Sequence, residues 1–237
     1  MAKWLVRLKG EKFDLEDLPR LLHSPELAVS EENGFYYLQS SEFESLTSSD
    51  EVRKRGIDLI DKLNGAAKLY RGNFQDVSED GITHVEDDGR CHRYVYLEGT
   101  VTGRGKLRAN ATVISPDGTE KKVDQPTNLE TWIGIANKYK PVADALHFFR
   151  QHSWVNLYKV YEIIRDDVGG ENAIIAQHRV SKGKLKRFKQ TAQSRAALGD
   201  YARHASKKYK PPAQLMSLSE AKSMIKDILI NWMQTKT

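Results

Sequence analysis

Between Ser181 and Pro211 the chain gathers Lys182, Lys184, Lys186, Arg187, Lys189, Arg195, Arg203, Lys207, Lys208 and Lys210, with Asp200 as the one carboxylate in the segment. Side chains of this type on a common surface bind phosphates, because each phosphate they neutralise releases counterions and adds to affinity at low salt. The whole chain holds 37 basic and 32 acidic residues, so subtracting the segment's ten cations and one anion leaves 27 against 31. Positive charge is therefore a local feature of this protein. Such a field favours an anionic partner, nucleic acid or another polyanion. A run of charge can equally be a plain solvated helix face, and the scarcity of carboxylates within the segment is what favours the binding surface.

Inside the segment lies Gly199-Asp200-Tyr201-Ala202-Arg203-His204-Ala205, followed by a loop at Pro211-Pro212 and then a terminal apolar repeat. An arginine and a histidine placed just before a loop and a last helix resemble the closing part of HEPN domains, helical bundles of prokaryotic RNA-cleaving and nucleotide-binding proteins. The resemblance covers at most residues 127–233, with the repeat from Trp154 to Val168 standing for an earlier helix of the bundle. Members of that family usually place several residues between the arginine and the histidine, whereas here Arg203 and His204 adjoin and eight residues separate Arg195 from His204. The resemblance implies a metal-independent endoribonuclease. In it His204 would move a proton at the ribose hydroxyl or the leaving oxygen, and Arg203 or Arg195 would stabilise charge on phosphorus. The alternative is structural: Asp200 caps the turn and the Arg-His pair bonds to carboxylates elsewhere.

Glu162, Asp166, Asp167 and Glu171 form a third constellation. Glu162 and Asp166 stand four apart on one helix face and could bridge a divalent cation. Asp166 and Asp167 fall in the last helical turn, where the macrodipole disfavours negative charge, so the expectation is that they pair with cations, for which the basic segment is the obvious source. No metal site and no cofactor is assigned. His92, Tyr94 and Tyr96 alternate on a strand beside Arg93. A buried aromatic face is the expectation, and stacking of nucleobases on an exposed sheet the alternative. Gly99, Gly103 and Gly105 lie within a strand meander, which makes them turn or bulge residues and not a dinucleotide loop. Cys91 has no neighbour that would activate a thiol, and His84, His147, His152 and His178 lack ligand spacing.

The elements that would carry these groups fall into two halves. Alternation at Trp4, Val6 and Leu8 predicts a strand, residues 14–22 a short helix, and residues 27–32 and 35–40 a hairpin closed by Asn33-Gly34, a pair suited to the positive φ angles of a type I′ turn. From Ser49 to Tyr70 apolar residues recur on one side, predicting an amphipathic helix on the sheet. Three further strands are expected over residues 81–86, 92–102 and 106–114. After Asp124-Gln125-Pro126 the pattern is helical throughout. Thr127 and Glu130, and Ser217 and Glu220, have capping-box spacing, Ser153 can cap Trp154–Val168, and Gly169-Gly170 ends it. A basic helix over residues 184–197 would turn Leu185, Phe188 and Ala192 inward. The fold class is α+β: an N-terminal mixed or antiparallel sheet domain with two helices, 1–123, and a helical bundle domain, 127–237.

Composition bounds the rest. With 39% apolar and 29% charged residues the chain reads as globular, one cysteine excludes an internal disulfide, and no apolar run approaches the length of a bilayer. A cytosolic protein without membrane contact is expected, with a homodimer left open. Three functions follow: an anion-binding protein acting on RNA or DNA, the endoribonuclease, or a protein-interaction module that docks an acidic partner.

Overall fold

The computed structural model describes residues 3–96, 129–177, 180–206 and 208–236. Its N-terminal half is an antiparallel sheet of five strands in the order β2-β3-β1-β4-β5, with β1 Lys3–Lys9, β2 Leu27–Glu32, β3 Phe35–Ser40, β4 Ser78–Val85 and β5 Cys91–Tyr94. Helix α1 is Lys12–Leu21 and α2 is Ser49–Tyr70. The hairpin falls where Asn33-Gly34 places it, with φ of 54° and 79° at those residues. Register aligns Val29, Leu38, Val6, Ile82 and Tyr94 in one row across the sheet, and the first four of these are buried in the core.

Helix α2 starts where Ser48 and Glu51 close a capping box, an arrangement worth about 1 kcal/mol. It approaches β1 closely at Gly56, where a β-carbon would lie 2.8 Å from a methyl of Val6. Buried Asn64 mimics a strand, donating to the carbonyl of Val77 at 2.8 Å and accepting from its N–H at 2.9 Å.

The second half is all helical among the described residues: α3 Leu129–Lys138, α4 Lys140–Arg150, α5 Trp154–Asp167, α6 Glu171–Gln177, α7 Lys182–Gln193, α8 Arg195–Leu198 and α9 Leu218–Gln234. Ser153 and Ser217 cap their helices as expected, accepting from the backbone of Asn156 and Glu220, and Ser181 caps α7 by accepting from Lys184. Gly169 and Gly170, at φ 84° and 128°, end α5.

The basic helix is shorter than its pattern suggests. It breaks at Ser194, and the reason is tertiary: the carbonyl of Ala192, which a continuing helix would pair with residue 196, accepts the N–H of Arg203 at 2.8 Å. Thr191 Oγ also bonds back to Arg187 and receives the N–H of Met216 at 3.2 Å, which pins the far end of the following loop.

Helix α2 is covered by the sheet on one side and by α3 and α4 on another. At Gly65 a β-carbon would lie 2.8 Å from Cβ of Leu146, so a glycine is what lets α2 and α4 touch. Asp61 of α2 bonds His147 at 2.9 Å and Arg150 at 2.8 Å, while Glu130 accepts the backbone N–H groups of His23 and Ser24 at 2.6 and 2.9 Å. One hydrophobic core runs from Val6 through Leu63, Leu146 and Tyr161 to Met233. Described residues of both expected halves, 1–123 and 127–237, contribute to this core. The expected boundary near Asp124, the strand 106–114, Thr127 and the end of the strand after Tyr96 lie outside the described residues.

Candidate functional site

Phe188 of α7 fixes the basic segment to the bundle. It is fully buried, with its ring 6.2 Å from Trp154, 5.8 Å from Tyr158 and 6.1 Å from Tyr161, the aromatic stripe of α5. Burying a side chain of that size contributes about 1.5–3 kcal/mol. Leu185 and Ala192, also fully buried, complete the inward face.

With that face fixed, the cations fall into two classes. Arg187 pairs with Glu220 of α9, Lys189 with Glu171 of α6, Arg203 with Glu162 of α5 at 2.8 Å, and Arg195 with Asp200 at 3.2 Å. Three of these acids come from outside the segment, so the expectation of an uncompensated surface does not hold for these four residues. Lys182, Lys184, Lys186, Lys208 and Lys210 have no carboxylate in ion-pair contact among the described residues; Lys184 is half-buried and the other four are exposed. Lys207 lies outside the described residues. Lys182 and Lys186 stand one turn apart at the N-terminal end of α7, whose first turn has no acid. Cations there oppose the macrodipole, which favours a bound anion.

Arg203 and His204 follow α8 and a turn at Gly199–Tyr201, on the loop that the carbonyl of Ala192 holds at Arg203. The Arg203 guanidinium lies 4.4 Å over the ring of Tyr158, a cation–π contact, and its Nη1 is 3.3 Å from Nε2 of His204. Arginine can only donate, so this arrangement has Nε2 as acceptor and the imidazole proton on Nδ1. The His204 ring stacks on Tyr209 at 4.7 Å with planes 16° apart. Arg195 reaches the carbonyl of Ala205 at 3.5 Å, so Arg195, Arg203 and His204 are tied to one loop, although Arg195 turns toward Asp200. An imidazole beside a guanidinium has the groups for proton transfer and for holding a phosphate.

The acidic constellation is spent on the bundle itself. Glu162 holds Arg203, Asp166 holds Arg165 at 2.7 Å, and Asp167 accepts from Trp232 Nε1 at 2.7 Å and from Lys236 at 2.6 Å. Burial alone would raise the Asp167 carboxyl, but the Lys236 and Trp232 bonds outweigh it and hold the group below its usual range. Glu171 behaves alike, burial being overcome by Lys189 and the Tyr161 hydroxyl. Burial, helped by Glu171, pushes the Tyr161 phenol up, and burial also raises Tyr158 against the opposing charge of Arg203. Among the described residues no three His, Cys, Asp or Glu side chains gather as a metal site.

The sheet differs from its expectation. His92 and Tyr94 are exposed on edge strand β5, not buried, while Trp4 stacks on His84 at 4.1 Å. Tyr96 is pinned, its hydroxyl bonding Ser49 and Asp50 at 3.0 and 2.8 Å beneath the Arg53 guanidinium. Sequence reasoning missed Tyr158, Gln193, which donates to the Tyr158 hydroxyl, and Tyr209. Tyr209 carried a readable signal, an aromatic between the lysines at 208 and 210. Tyr158 and Gln193 carried none, because their meeting depends on how α5 and α7 cross. No family model matches the chain, and no curated protein or solved structure matches it either.

Proposed function

We propose that the protein is a cytosolic binder of nucleic acid, RNA ahead of DNA, which it engages through Lys182, Lys184 and Lys186 with Lys208 and Lys210. The observation that carries this reading is that, among the described residues, none of these five lysines is in ion-pair contact with a carboxylate, whereas the acids of α9, α6 and α5 pair with Arg187, Lys189 and Arg203. A solvated helix face has no need of that sorting. Tyr201, 79% exposed in the turn that follows α8, supplies a flat ring on which a base can stack. That no helix among the described residues is long and apolar enough to cross a membrane agrees with it. Charge reversal tests the reading: Lys182→Glu, Lys184→Glu and Lys186→Glu together should abolish retention on a mixed oligonucleotide column. Equal retention of the reversed-charge protein removes it.

A second reading, a HEPN-like metal-independent endoribonuclease, is favoured by the contact between Arg203 and His204. A phosphate drawing the guanidinium away would free Nε2 to accept the ribose proton while Arg203 stabilises the charge on phosphorus. Arg195 would be an outer cation in this scheme. The expected result is cutting of labelled RNA in the presence of chelator and none by His204→Ala. Cutting unchanged in that variant, or seen only with magnesium, excludes the mechanism.

A further inference from the structure

A second group of cations lies away from the basic segment, at the seam where the C-terminal end of α2 meets α9. Lys222 and Lys226 stand four apart on one face of α9, where like charges repel. Lys222 Nζ lies 3.2 Å from the point a β-carbon on Gly72 would occupy, just past the end of α2. Lys68, in the last turn of α2, bonds the carbonyl of Phe74 across the same turn. All three lysines are half-buried.

The acids that could neutralise them are engaged elsewhere. Arg71 holds Asp14 at 3.7 Å and also pairs with Asp17, Arg150 holds Asp76 at 3.4 Å, and among the described residues no carboxylate is in ion-pair contact with Lys68, Lys222 or Lys226. Asp227, the acid beside Lys226, is exposed. The cost is visible in the groups themselves. Burial, then the charges of Lys68 and Lys226, make the Lys222 ammonium easier to deprotonate, and burial with Lys222 and Lys68 lowers the imidazole of nearby His152 to about 4.

We propose that Lys68, Lys222 and Lys226 form a binding site for a phosphate group at the α2–α9 seam. One dianion between three ammonium groups replaces their mutual repulsion with charge-assisted hydrogen bonds. The Lys222 ammonium lies against Gly72, which places it at the same turn as the Lys68 ammonium on the carbonyl of Phe74. The phosphate could be inorganic or the terminal group of a nucleoside monophosphate, and both present the same oxygens.

The full-length protein is titrated with inorganic phosphate and, separately, with adenosine 5′-monophosphate and with adenosine, at constant ionic strength. Calorimetry gives the affinity, and side-chain NMR of the lysines reports the ammonium groups. Binding of phosphate and the monophosphate but not adenosine is expected, with Lys222→Gln and Lys226→Gln each weakening it about tenfold, ~1.4 kcal/mol. Phosphate should also raise the titration midpoint of Lys222 in the unaltered protein, a readout that no variant's folding can disturb. Binding of the monophosphate alone would assign the site to nucleotides, and tighter binding of inorganic phosphate would assign it to the free ion. No binding, binding that ignores both substitutions, or an unmoved Lys222 midpoint overturns the proposal. Lys222→Gln should leave oligonucleotide retention intact, so failure here and failure of the nucleic-acid reading are separate results.

Discussion

Replacing Lys182, Lys184 and Lys186 together by Gln removes three charges from α7 without adding repulsion, and its effect on salt dependence can be worked out in advance. On a single strand each neutralised phosphate contributes about 0.7 to the slope of log affinity against log salt, so three contacts contribute about 2. The ratio of unaltered to substituted affinity should therefore shrink by roughly 15- to 20-fold between about 50 and about 200 mM salt. Fluorescence anisotropy with a labelled single-stranded RNA, repeated at four or five salt concentrations, measures both slopes. Lys189→Gln is the internal control. Its ammonium is committed to Glu171, so losing it should leave the slope nearly unchanged while loosening α6 from α7. A triple variant with the slope of the unaltered protein, or a Lys189 variant that lowers it as much as the triple one, would refute the division of the segment into free and engaged cations.

Three further outcomes follow from the packing. Gly65→Ala forces a methyl into Leu146 and should cost about 1–3 kcal/mol, lowering Tm by roughly 2–4 °C for each kcal/mol; because the halves share a core, heat should unfold both in one transition, and two separated transitions would contradict that. Glu130→Ala leaves the N–H groups of His23 and Ser24 without their acceptor, so amide exchange at these two residues should accelerate, with a loss of about 1–3 kcal/mol in stability by urea; unchanged exchange would show that water replaces the carboxylate freely. His152 titrates near 4 in the fold against 6.5 in the open chain, so between those values the unfolded state binds the extra proton and stability falls as pH falls, with no effect above the window; His152→Asn, which tolerates the φ of 49° found there, should flatten that part of a urea-midpoint profile, and a profile as steep as before would dismiss the assignment.

Local grammar was legible wherever one residue type answers one local demand. Asn33-Gly34 supplies two positive φ angles, Ser153 and Ser217 supply caps, Gly169-Gly170 supplies a stop, and the elements they bound match their expected spans closely. The aromatic strand β5 misled because alternation of His92 and Tyr94 fixes which side they share but not whether anything covers that side. The break at Ser194 was illegible for a sharper reason. Nothing in the sequence from Lys182 to Leu198 forbids a continuous helix, since its one glycine lies in the first turn and no proline interrupts it. What ends it is a hydrogen bond from Arg203, a residue outside the helix.

That bond also explains why the charge of the segment could be counted from the sequence but not apportioned. Among the described residues four of its cations meet acids, and three of those acids lie on α5, α6 and α9, separated from their partners by between 18 and 41 residues of chain. Such pairings require α7 to be docked by Phe188 and the Arg203 loop to be drawn back onto Ala192. If Arg203 instead continued a helix past Ser194, its guanidinium would project from a different turn, away from Glu162 and Tyr158, and His204 would lose the neighbour that sets its tautomer. The chemistry available at the Arg-His pair is thus a consequence of where α7 stops.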